Sequence, residues 1–138
     1  MKRLAAVISL LLVTVLLASC TLAEVTVPLG QEFSLSVGHR AVISGEDLRI
    51  EFVDVVTDSR CPKDVVCIWA GEVKCLVELV SSGSAERVEL TEPGLTGDTN
   101  RQAFKEYQLT FTVTPYPVST KPIERGDYRL VLTVRKGA

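Results

Sequence analysis

The chain has 138 residues, 46% of them apolar, with 15 Lys and Arg against 17 Asp and Glu and a formal net charge of −2. That balance excludes a surface built for nucleic acid, which needs clustered basic side chains. It also offers no polybasic attraction to anionic lipid.

The first residues form a self-contained pattern. Lys2 and Arg3 precede an almost unbroken apolar run over residues 4–17, closed by the small Ala18 and Ser19 before Cys20. The run is shorter than the roughly 20 apolar residues that a spanning helix needs. It matches the roughly 7–15 residues of an export-signal core. Leu17-Ala18-Ser19-Cys20 resembles the bacterial lipobox. The resemblance implies that residues 1–19 are a signal peptide and are removed. Cys20 then becomes a lipidated N-terminus, carrying a diacylglycerol and an amide-linked acyl chain. Two or more chains hold stably where one is marginal. The implied partner of Cys20 is a membrane, and the implied location is the extracytoplasmic face of a bacterial cell envelope. Residues 20–29 then read as lipidated N-terminus and tether, and residues 30–138 as one domain, a size that suits a single core. Without the signal, 13 basic residues face 17 acidic ones, a net charge of −4.

The mature chain alternates with period two almost throughout. Val25, Val27 and Leu29 alternate in a lead-in that reads either as tether or as a first edge strand. Phe33, Leu35 and Val37 follow, then a short piece at residues 41–43, then Leu48, Ile50 and Phe52. The phase slips at Val53 and Val55, which predicts a bulge or a strand changing sheets. Val73, Cys75, Val77 and Leu79 alternate again, as do Val88 and Leu90, then Tyr107 to Val113, then Tyr128 to Val134. Each such run has one face buried and one in water. Gly45-Glu46-Asp47, residues 81–84, Pro93-Gly94 with Gly97-Asp98, and Gly126-Asp127 supply the turns. Seven or so short strands without a helix of useful length predict an all-β fold. The expected form is one antiparallel β-sandwich of immunoglobulin-like arrangement, with a small β-barrel as alternative.

Residues 58–72, DSRCPKDVVCIWAGE, break the alternation. The mature domain keeps Cys61, Cys67 and Cys75, and an oxidising compartment makes a disulfide the expectation. Pro62 starts a turn and five residues separate Cys61 from Cys67, which favours that pair. Cys75 falls in phase with the core positions of its strand and reads as a small hydrophobe. The run Asp58-Ser59-Arg60-Cys61-Pro62 with Cys67, Trp69 and Gly71 resembles a motif of uncharacterised bacterial secreted proteins and lipoproteins. Pro115-Tyr116-Pro117 and Asp127-Tyr128 extend that resemblance over most of the mature chain. It adds weight to the Cys61–Cys67 pairing and implies no activity.

The chemistry-bearing residues are sparse. Cys61, Cys67, Cys75 and His39 are zinc ligand types, but their spacing is not that of a zinc knuckle, and no Cys-x-x-Cys redox motif occurs. Asp54 with Asp58, or Asp98 with Asn100, fit no calcium loop. No cofactor, metal or catalytic residue is expected, and the chain does not read as an enzyme. Trp69 reads first as a core or loop-packing tryptophan, as in immunoglobulin domains where a buried tryptophan packs on a disulfide, and second as an exposed anchor for a partner. Arg60, Lys63, Asp64, Trp69 and Tyr116 form the candidate partner-binding surface. The expected function is a membrane-anchored, non-enzymatic binding module for an envelope protein or glycan. The alternatives are a structural or assembly accessory without ligand and, behind it, a protease-inhibitor-like or a metal or redox protein.

Overall fold

A computed structural model describes residues 24–95 and 100–137. The signal segment, Cys20 and Asp98 lie outside the described residues. Among the described residues nine strands form: β1 (Glu24–Pro28), β2 (Glu32–Ser36), β3 (Arg40–Ser44), β4 (Arg49–Asp58), β5 (Glu72–Ser81), β6 (Ser84–Pro93), β7 (Asn100–Phe104), β8 (Tyr107–Thr114) and β9 (Arg129–Lys136). One sheet has the order β1-β3-β4-β5-β6 and the other β2-β9-β8-β7. The two open sheets pack face to face as a β-sandwich, and no barrel closes. All pairings are antiparallel except β1 with β3.

The period-two pattern builds the core directly. Val73, Cys75, Val77 and Leu79 of β5 are buried against Leu109, Phe111 and Val113 of β8 and Leu130, Leu132 and Val134 of β9 in one continuous cluster. Burying each such side chain stabilises the fold by about 1.5–3 kcal/mol relative to exposure. The opposite face of the five-stranded sheet carries cross-strand ion pairs: Arg40–Glu51, Arg87–Glu78 and Lys74–Glu89. Exposed pairs of this kind add little each, but they keep that face wet and so fix which face turns inward.

The slip read in β4 is present. Its register with β5 shifts between Phe52 and Asp54 and again between Val55 and Thr57. The β5–β6 hairpin closes on Ser82 and Gly83, both at positive φ (55° and 73°), the geometry of a two-residue type I′ turn.

Two expectations change. Residues 24–28, placed in the tether by the boundary at residue 30, form edge strand β1, and Val27 is buried. Parallel pairing with β3 supplies its backbone partners, so a segment with one buried side chain still belongs to the sheet. β7 is a ninth element without an apolar alternation. It pairs with β8 around the Lys105-Glu106 turn and buries only Phe104.

Candidate functional site

The segment 59–71 joins β4 to β5 and projects from one end of the sandwich. Cys61 and Cys67 form a disulfide with Cα atoms 5.9 Å apart. Backbone bonds close its base: Ser59 N–H donates to the Glu72 carbonyl and Cys61 N–H to the Ala70 carbonyl, both at 2.8 Å. Gly71 is required there. It sits at φ +68°, and a Cβ would fall 1.8 Å from the Ser59 carbonyl oxygen. Gly94 is nearly as constrained, since its Cβ would lie 2.2 Å from the Ala70 oxygen. Two strand ends therefore meet the loop base backbone to backbone.

Beneath the loop lies a buried ion pair. Arg60 is only 4% exposed. Its Nε donates to Asp58 Oδ1 at 2.9 Å and its Nη2 to Oδ2 at 2.6 Å, a bidentate fork. The remaining donors reach the Val113 carbonyl (2.9 Å) and the Pro115 carbonyl (3.1 Å) on the other sheet. Tyr128 Oη donates to Asp58 Oδ2 at 3.1 Å. The Tyr116 ring covers the guanidinium at 5.0 Å, and its hydroxyl accepts the Leu95 N–H. Burial works to raise the Asp58 carboxyl, but the hydrogen bonds and charge of Arg60 outweigh it and hold the group below its ordinary value. Burial and then the Asp58 charge push the Tyr128 hydroxyl up to about 12. Burial likewise pushes the Cys75 thiol to about 12, so it stays protonated and unreactive in the fold.

The loop is also tied sideways. Lys63 N–H donates to the Pro117 carbonyl at 3.1 Å. Asp64 accepts both the backbone N–H and the hydroxyl of Ser119, which lower its carboxyl below the usual value. The loop over residues 115–125 is thereby strapped to the disulfide loop. An open cleft of about 510 Å³ lies along it, between Tyr116, Ile123 and Arg129.

What this scaffold presents is apolar. Val66 and Ile68 are fully exposed, Trp69 is 71% exposed and Val65 is also exposed. Of the eight large apolar side chains exposed among the described residues, six (these four with Val56 and Leu95) lie on or beside this loop.

The sequence expectations divide accordingly. The Cys61–Cys67 bond forms and Cys75 is a buried free thiol. Lys63 and Asp64 lie on the exposed loop. Arg60 is buried in the Asp58 fork and cannot meet a partner, whereas Tyr116 covers the guanidinium with one face and, half-buried, still lines the open cleft. Trp69 is not packed in a core, so the first reading of it is corrected. Val65, Val66 and Ile68 were missed as site residues. Their only sequence signal is an apolar cluster inside a segment that carries no strand alternation. Among the described residues no group of three His, Cys, Asp or Glu is placed to hold a metal.

No family model, curated protein or solved structure matches the chain.

Proposed function

We propose that the protein is a lipid-anchored, extracytoplasmic binding module of the bacterial cell envelope, without a catalytic role. Its binding element is the apolar tip of the disulfide loop. One observation carries this reading: Val65, Val66, Ile68 and Trp69 stand in water on a loop held by a disulfide, a buried ion pair and a sideways strap. Contiguous exposed apolar area of this kind marks an interaction surface. Covering each of these side chains would return about 1.5–3 kcal/mol. The rigid base means that little ordering cost opposes it. The lipidated Cys20 rests on the signal pattern of residues 1–20.

In-cell photo-crosslinking tests the tip, with the probe at Val66 and a control probe at Glu106 in the turn at the far end. A recurring adduct from position 66 and none from 106 is expected. Equal labelling from both ends would sink the reading. Palmitate labelling tests the anchor, and Cys20→Ser should abolish it.

A further inference from the structure

β1 runs away from the side towards which the apolar tip projects, and its first residue, Glu24, lies at mid-sheet on the edge of the five-stranded sheet. β1 runs parallel to β3, and β3 antiparallel to β4, with Glu24, Arg40 and Glu51 abreast. Following β4 from Glu51 to Asp58 leads in the direction from which the chain arrives at Glu24, and then out into the disulfide loop. That stretch of β4 covers about 20 Å at strand rise. Only Thr21, Leu22 and Ala23 separate Cys20 from Glu24, and such a link reaches at most about 14 Å. A tether this short cannot hold the domain clear of a surface to which Cys20 is fixed. Because that reach is shorter than the distance from Glu24 to the loop end, Cys20 and the tip meet one surface only when the domain lies inclined on its β1 edge, with that edge and the exposed apolar tip both turned to the surface.

We propose that the tip of residues 65–69 is a second membrane anchor, seated in the interfacial layer of the bilayer that holds the lipid on Cys20. This rests on the lipid-anchor reading and names the apolar surface that the tip takes. The residue types suit that depth. Trp69 is amphipathic, as interfacial tryptophans are. Val65, Val66 and Ile68 supply the apolar wedge, and exposed Lys63 stands beside them at the level of the headgroups. The base of the tip is internally bonded through Cys61 to Ala70 and Val65 to Pro62, and the interfacial layer, unlike the hydrocarbon core, still offers water to the backbone of the tip itself. Lipid and tip together would fix the tilt of the domain.

Trp69 is the only tryptophan in the chain, so its emission reports the tip directly. The test uses full-length protein extracted from the membrane and reconstituted into phosphatidylcholine–phosphatidylglycerol vesicles, with or without chain-brominated phosphatidylcholine. The expected result is a blue shift, loss of most of the emission in brominated vesicles and weak quenching by aqueous acrylamide. The double substitution Val66→Asp with Ile68→Asp alters two fully exposed side chains and should fold unchanged. It should keep the vesicle association given by the lipid and lose the bromine quenching. Protein that floats with the vesicles but shows Trp69 open to acrylamide and untouched by bromine overturns the proposal, and leaves the tip for a protein partner. Protein that does not float and carries no acyl mass on Cys20 overturns the lipid-anchor reading and this inference with it.

Discussion

The two ends of the sandwich are built on different principles. At one end the connections are tight. Ser82-Gly83 and Lys105-Glu106 close hairpins, Gly45 sits at φ +77°, and Lys105 itself adopts positive φ. Order there comes from local backbone geometry, with cross-links at the rim: Lys136 and the buried Tyr107 both meet Glu46, and Ser82 N–H donates to Asp47. At the other end the connections are long, spanning residues 59–71 and 115–128. Local turns at Pro62–Val65, Val118–Lys121 and Glu124–Asp127 order only parts of them, and the protein adds an internal scaffold of Asp58, Arg60, Tyr128 and a disulfide. The first end is stable because its loops are short. The second carries long loops because something on them must be presented, and what it presents is apolar.

Removing the buried charge should break that contrast most severely. Arg60→Ala strands Asp58 and leaves the Val113 and Pro115 carbonyls without their donor. Breaking one side of a buried pair costs about 3–5 kcal/mol, to be read as a fall in the urea midpoint. Lys136→Ala at the far end, on an exposed pair, should leave the midpoint close to wild type. Equal losses would mean that both ends are scaffolded alike. Next in size is the disulfide. Cys61→Ser with Cys67→Ser should cost about 2–3 kcal/mol by the loop-entropy argument. Cys75 should resist alkylation until the chain unfolds, because its thiol is buried and held near 12.

The response to pH separates the ends again. Asp58 is held below its ordinary value in the fold. Its contribution is complete above the unfolded value of about 3.9 and is lost as pH falls through the lower folded value. Stability should therefore hold down to about pH 5 and decline below about pH 4. Asp58→Asn should flatten that acid slope. On the alkaline side the sign reverses. Tyr128 at the loop end and Tyr107 at the far end are both pushed to about 12, whereas an unfolded tyrosine ionises near about 10. The unfolded chain then loses protons first, and stability should fall as pH rises from about 10 towards 12. Tyr128→Phe should remove the loop-end share of that loss. A slope identical to wild type in both single variants would mean that neither group is coupled to folding.

How much of this could be read from residues follows from what leaves a periodic trace. A strand with one dry face writes itself as alternation, so β2 to β6, β8 and β9 were legible, and the slip at Val53 announced the bulges of β4. β7 was not, because NRQAF has two adjacent apolar residues and only Phe104 turns inward. Its place is set by pairing with β8, which is a tertiary fact. β1 was legible in part: Val25, Val27 and Leu29 alternate, which left tether and edge strand both open, and Val27 alone is buried. The disulfide was legible from spacing and from the turn at Pro62. The burial of Arg60 was half legible: Asp58 and Arg60 stand two apart, a spacing that invites a pair, but nothing in the sequence says that Val113 and Pro115 take its remaining donors. Outside periodic structure, apolar character does not declare its direction. Ile68 and Trp69 face water although their composition matches a core segment.

The smallest expected effect is the most discriminating one. Trp69→Ala and Val66→Asp change side chains that contribute almost nothing to folded packing, so each should alter stability by no more than about 0.5 kcal/mol, the range of ordinary surface substitutions. The comparison with Arg60→Ala isolates what the scaffold is for. If the tip variants keep the wild-type midpoint while losing the Val66 crosslink or the bromine quenching of Trp69, the energy held at Asp58 and Arg60 supports a surface that folding itself does not need. If instead Trp69→Ala lowers the midpoint as far as loss of the disulfide does, the indole is packed against the loop in solution. The apolar tip would then be part of the scaffold, and the two ends of the sandwich would differ in length of connection alone.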